Sequence, residues 1–188
     1  MAPTLVLICG VPGSGKTTIA KILSRMLGNS IHIQSDAIRF MMARPRYTHK
    51  ESAFVYDVCT DIARKALDSG YHVVLDATFL RNDYRRRALE ALRPLCESQI
   101  TVCLVCDPEV AYGRNRSREA QVPRSRFAHL ISRYEVPLDC LKIDTTAMRP
   151  EEAALLVKRE MEKQTVNITV QRNFKPYENK DFGGAEGS

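Results

Sequence analysis

Nothing in this 188-residue chain restricts its fold as tightly as the octet Gly10-Val11-Pro12-Gly13-Ser14-Gly15-Lys16-Thr17, which fits G-x-x-x-x-G-K-[ST] at every fixed position. The octet follows the apolar stretch Thr4–Cys9 and opens a segment of helical apolar spacing that Gly28 closes. Glycines there let successive backbone N–H groups turn inward around phosphate oxygens, and the helix N-terminus adds a favourable dipole. Lys16 is suited to neutralise β- and γ-phosphates, and the Thr17 hydroxyl to ligate Mg²⁺. The motif therefore predicts a nucleotide site of Gly10, Pro12, Gly13, Ser14, Gly15, Lys16, Thr17 and Thr18, taking ATP (or another NTP) with Mg²⁺.

The rest of the chain agrees with a loop of that kind. The runs Thr4–Cys9, His72–Asp76 and Ile100–Cys106 are short and almost continuously apolar, as expected of strands buried on both faces of a parallel sheet. Further short strands are predicted at 31–34 and 141–144. Helices are predicted at 16–27, 36–43, 49–69, 82–93, 108–118, 124–134 and 151–163. Strands alternating with helices imply right-handed βαβ units. The expected fold is α/β of the P-loop NTPase type, a parallel five-stranded sheet with helices on both faces and an Arg-rich lid. Residues 1–165 form the expected domain, with the lid at about 112–134. Residues 166–188 are an extension expected to be partly flexible, in which Val166–Val170 reads as a small added strand.

Composition narrows the class. Lys and Arg number 28 against 22 Asp and Glu, a net charge of +6 that favours anionic partners. No apolar run approaches the ~20 residues needed to cross a bilayer, and no basic stretch precedes the short apolar N-terminus. A cytoplasmic protein without membrane contact is expected, its six cysteines reduced. Cys103 and Cys106 spell C-x-x-C, but their odd spacing puts them on opposite faces of a strand. They are read as packed thiols rather than a metal or redox site.

Three clusters carry the remaining chemistry. Asp36 and Arg39 share one face of a helix that begins where the second strand ends, at the edge of a parallel sheet where ligands bind. There a carboxylate can take a hydroxyl proton and a guanidinium can hold an anionic acceptor, although Ser35 or Asp36 could equally cap the helix. Asp76 ends the third strand, where a carboxylate can serve Mg²⁺ or the acceptor or simply orient backbone; Thr78 is its neighbour. Between Tyr112 and Tyr134 six arginines face one acid, Glu119. Arg114 and Arg118 stand four apart on one helix face, suited to closing over phosphates, while Arg116 and Arg126 serve surface or acceptor equally well. A further run, Arg81, Arg85, Arg86 and Arg87, is either a solvated face or a path for a phosphate backbone.

Taken together, GVPGSGKTT at 10–18, S-D-A-I-R at 35–39, L-D-A-T at 75–78 and R-N-R-S-R at 114–118 resemble the phage-type polynucleotide 5′-hydroxyl kinases. They are also similar to the related small P-loop kinases: seryl-tRNA kinases, zeta-toxin-like kinases and small-molecule phosphotransferases. The resemblance covers most of residues 4–163. It implies Asp36 as general base, Arg39 on the acceptor's phosphate, and Arg118 on the ATP phosphates with Arg114 beside it. With the phosphate-loop reading, the expected catalytic set is Asp36, Lys16 and Arg118; Asp76 and Thr78 are expected on the acceptor side, and Thr17 with Asp76 at Mg²⁺. The implied acceptor is the 5′-OH of RNA or DNA. The alternatives are a small alcohol or nucleoside, an aminoacyl-tRNA, or no acceptor at all in an ATP-binding switch.

Overall fold

The computed structural model describes residues 3–117 and 121–173. Five strands, β1 (Thr4–Gly10), β2 (Ser30–Gln34), β3 (His72–Asp76), β4 (Ser98–Val105) and β5 (Leu141–Asp144), form one sheet in the order β2-β3-β1-β4-β5. Every pairing is parallel, with Leu5 opposite Val73 and Gln99, and Ile33 opposite Leu75. The central strands are apolar throughout because both faces are covered. Leu5, Leu7 and Cys9 point into one core with Val55, Cys59 and Ala63 of α3 (His49–Asp68) and Ala88 and Leu92 of α4 (Asn82–Leu92). The alternate residues Val6 and Ile8 point into a second core with Ile19 and Leu23 of α1 (Lys16–Leu27) and Val157 and Met161 of α7 (Pro150–Asn173). The sheet is thus the expected parallel, five-stranded, doubly covered one.

Two elements differ from the sequence reading. Residues Val166–Val170 do not form a strand: α7 continues through them to Asn173. Extending an existing helix adds a hydrogen bond per residue, and its β-branched residues cost only ~0.5 kcal/mol each. The rest of the predicted extension, 174–188, lies outside the described residues. Helix α2 (Ser35–Phe40) stops short of the predicted residue 43, leaving Met41–Thr48 as a loop. The lid region consists of α5 (Pro108–Arg116) and α6 (Arg124–Ser132). All six cysteines are free; Cys103 is packed in the core as expected, whereas Cys106 falls just beyond the end of β4, half-buried, with Arg114 Nη1 3.5 Å from its sulfur.

Candidate active site

The phosphate loop is built by β1 ending in glycine and α1 beginning without an acid in its first turn, which leaves the helix N-terminus electropositive. Gly13 has φ +79°, and a Cβ there would lie 2.0 Å from the carbonyl oxygen of Ala111 in α5. The loop therefore touches the base of the lid through bare backbone, a contact only glycine allows. Lys16 Nζ donates to the Val11 carbonyl at 2.9 Å, folding the ammonium back over the loop. From the far side the single Thr145 O–H, after β5, lies between the Ser14 (3.0 Å) and Val105 (3.1 Å) carbonyl oxygens, pinning the loop to two further strand ends.

Parallel pairing sends the C-terminal ends of β1, β2 and β3 to the same edge, and the predicted acidic residues arrive there. A cleft of about 950 Å³ is lined by the loop residues Pro12–Thr18 together with Asp36, Arg39, Asp76, Thr78 and Arg114. Helix α2 takes Gln34 as its N-cap residue, with no side-chain cap bond, so neither Ser35 nor Asp36 serves as the cap. Asp36 is half-buried and faces the cleft. Asp76 is 2% exposed, with His32 Nε2 3.4 Å from its Oδ2, while Thr17 Oγ1 lies 3.4 Å from Gln34 Nε2.

Arg39 is held more tightly than its sequence suggests. Its guanidinium is paired with Glu51, lies 3.4 Å from Ser52 Oγ, and stacks 4.5 Å from the centre of the Tyr47 ring. Thr48 caps α3, accepting the Glu51 N–H at Oγ1 (3.2 Å), while the Glu51 carboxylate reaches past the cap to accept the N–H groups of Arg46 (2.6 Å) and Tyr47 (3.0 Å). Burial pushes the Glu51 carboxyl up, but those two N–H donors and Arg39 outweigh it and hold it below the ordinary glutamate value. Glu51 and Tyr47 were not singled out from sequence, although Thr48-x-x-Glu51 is a readable cap signature. Arg126 of α6 also stacks on Tyr47, 4.0 Å from the ring centre.

The lid arginines have different fates. Arg114 lines the cleft and donates Nη2 to the carbonyls of Thr145 and Thr146, both at 3.0 Å. Arg118 lies outside the described residues. Between them Asn115, 1% exposed, donates to the Val122 carbonyl (2.8 Å) and accepts the Val122 N–H (3.1 Å), which ties the two ends of the lid loop together. The run at 81–87 is no continuous basic path. Arg85 is buried, donating to the carbonyls of Phe79 and Glu135 and to Asn82. Arg81 pairs with Asp83 and Arg86 with Glu90 at the surface. A helix face turns every fourth residue the same way, so four arginines in seven positions had to diverge.

A family model described as an AAA domain matches residues 5–137, from the first strand through the lid. The chain belongs to that family. Among solved structures, the fold is similar to the APS kinase of Mycobacterium tuberculosis in complex with AMPPNP and APS, at 18% identity and TM-score 0.70, covering 86% of this chain and 98% of that one. It is similar to a gluconokinase from Sinorhizobium meliloti at 19% identity and TM-score 0.71, covering 90% and 98%. It also matches part of the Pnkp1/Rnl/Hen1 RNA repair complex at 18% identity and TM-score 0.60, covering 70% of this chain and 44% of that one. A search of curated proteins finds no match. This AAA-domain chain thus has the fold of the small P-loop kinases. None of its described helices is long and apolar enough to cross a membrane.

Proposed function

We propose that this protein transfers the γ-phosphate of ATP to a hydroxyl, with the 5′-OH of RNA or DNA as acceptor and Asp36 as general base. The observation that carries the reading is the single cleft shared by the phosphate loop, Asp36, Arg39, Asp76 and Thr78. In the proposed reaction the acceptor oxygen bonds to the γ-phosphorus, and the bond from that phosphorus to the β–γ bridging oxygen breaks. ADP leaves with the bridging electrons, and the hydroxyl proton passes to the Asp36 carboxylate. Lys16 and the N–H groups at the start of α1 hold the phosphate charge, and Arg114 joins them from the lid side. Thr17 and Asp76 offer the hard oxygen donors that Mg²⁺ prefers, at the same edge of the sheet; the ion, when bound, offsets phosphate charge. Among the described residues no group of three His, Cys, Asp or Glu is arranged to hold a metal by itself, which suits an ion completed by phosphate and water.

The deciding experiment offers radiolabelled ATP with 5′-OH DNA, 5′-OH RNA, nucleosides, sugars including gluconate, and bulk tRNA. Label on 5′-OH ends supports the reading; label only on a small alcohol moves the acceptor to that class, which the likeness to a gluconokinase supports. ATP bound with no acceptor labelled leaves a nucleotide switch. Asp36→Asn is expected to lower transfer by about 10²–10⁴-fold while nucleotide affinity holds. A variant that keeps its turnover takes the proton-accepting role away from Asp36.

A further inference from the structure

The cleft mouth carries features that an enclosed small-molecule site does not require. Along the stretch from Phe40 to Lys50 the sequence runs F-M-M-A-R-P-R-Y-T-H-K, with three full cations and no acid. The same stretch exposes apolar surface: Phe40 is 57% exposed and Met41 81%. Exposed apolar side chains beside an acid-free basic strip offer contacts to a ligand that is both anionic and apolar. Phe40, Arg46, Tyr47 and His49 also line the cleft, so strip and cleft are continuous.

Charge assigns the occupant. Arg39 is neutralised by Glu51. By contrast, among the described residues none of Arg44, Arg46, Lys50 and Arg126 shares an ion pair with an acid. Arg126 and Arg39 both stack their guanidinium groups on the Tyr47 ring, 4.0 and 4.5 Å from its centre. Tyr47 thus contacts two cations, its backbone in the left-handed region at φ 57° and anchored through its N–H to Glu51. Phe40 keeps its ring open to solvent. An open ring beside a row of cations with no acid partner among the described residues fits a polyanion with flat apolar faces at regular spacing.

We infer that the Phe40–Lys50 strip, with Arg126 opposite, is a track for single-stranded nucleic acid leading away from the accepting hydroxyl. This rests on the polynucleotide reading proposed above. Arg46 and Arg126 hold the phosphate nearest the cleft, Phe40 stacks a base, and Arg44 and Lys50 take phosphates farther along. The track deepens that reading, because acceptors several nucleotides long gain contacts that a mononucleotide cannot make.

The test separates binding from transfer. Fluorescence anisotropy measures the affinity of labelled 5′-OH oligonucleotides of one to twelve nucleotides at several salt concentrations, and γ-phosphate transfer is followed on the same series. Affinity and kcat/KM are expected to rise with length and fall with salt. The double variant R44A/K50A changes two residues outside the cleft lining. Its log–log salt slope should flatten by about 1.4, from ~0.7 per phosphate contact on a single strand. Its ATP KM and its activity on the shortest acceptor should stay at wild-type values. F40A should lose about tenfold in affinity for the longer oligonucleotides. Oligonucleotides bound along the strip but never phosphorylated would support the track and overturn the proposed reaction. Phosphorylation that ignores length and R44A/K50A would overturn the track and leave the reaction standing. No oligonucleotide binding at all overturns both. A variant that shifts the protein from dimer to monomer in sedimentation without changing oligonucleotide affinity makes the strip an interface between copies and overturns the track.

Discussion

Asn115→Asp tests whether the two ends of the lid loop are held by a single buried amide. The amide is 1% exposed, gives one N–H to the Val122 carbonyl and takes the Val122 N–H in return. Aspartate has the same shape. Ionised, it keeps the Val122 N–H but sets a carboxylate oxygen against the Val122 carbonyl, two acceptors with no proton between them. A mispaired buried acceptor costs about 2–3 kcal/mol, which is roughly 4–12 °C in midpoint for a chain of this size. Protonation repairs the site, because the neutral acid donates its O–H to that carbonyl. The folded carboxyl is therefore raised above its unfolded value of ~3.9. Its stabilising contribution is complete below the unfolded value and is lost as pH rises through the folded one. Chemical denaturation of wild type and variant is expected to give nearly equal stabilities near pH 3, a gap of about 1 kcal/mol at pH 4.5, and a gap of about 2–3 kcal/mol at pH 8. Asn115→Ala, which leaves both Val122 groups unpaired, should cost about 2–4 kcal/mol at each of these pH values. Equal stability of N115D and wild type at pH 8, or an N115D deficit independent of pH, would refute the pairing.

Two further outcomes follow from buried contacts. Gly13→Ala must place a methyl 2.0 Å from the Ala111 carbonyl, whereas Gly15→Ala, at φ +88°, meets only Ile19 Cδ1 at 3.6 Å. Gly15→Ala should cost only the left-handed penalty of about 1–2 kcal/mol; Gly13→Ala should cost more and weaken ATP binding, measured by thermal melts and nucleotide titration, and equal effects would discount the clash. His72 accepts the Thr4 N–H at Nδ1 (3.1 Å), and burial lowers its pKa. Its contribution to stability is full above the unfolded value of ~6.5 and falls away as pH drops through the lower folded one. His72→Asn, whose amide oxygen can accept the same N–H, should flatten the stability–pH curve below pH 6.5, and an unchanged slope would acquit His72.

The phosphate loop, Asp36 and Asp76 could be read in advance because parallel βαβ winding sends every strand terminus to one edge, so residues at strand ends converge whatever lies between them. The support for Arg39 could not. Its partner, Glu51, lies twelve positions away across a loop whose path depends on Tyr47 adopting positive φ. Arg85 shows the opposite difficulty. It stands in a run of arginines that reads as solvated surface, yet it alone turns inward, because the Phe79 and Glu135 carbonyls lie beneath it. Asn115 sits unremarked between Arg114 and Arg116 in sequence, and only its burial sets it apart.

The same winding leaves the other edge of the sheet with no residue of the cleft. Loops that carry the chain back from helix to strand gather there and are laced to one another: His72 N–H to the Asn29 carbonyl at 3.0 Å, Asn29 Nδ2 to the Gly70 carbonyl at 3.1 Å, and Glu97 N–H to the Pro3 carbonyl at 2.8 Å. Assembly and chemistry are thereby divided between opposite rims. A fluorophore or affinity handle belongs at the exposed Tyr71, on the rim opposite the cleft, where it can report on the protein without touching what the cleft binds.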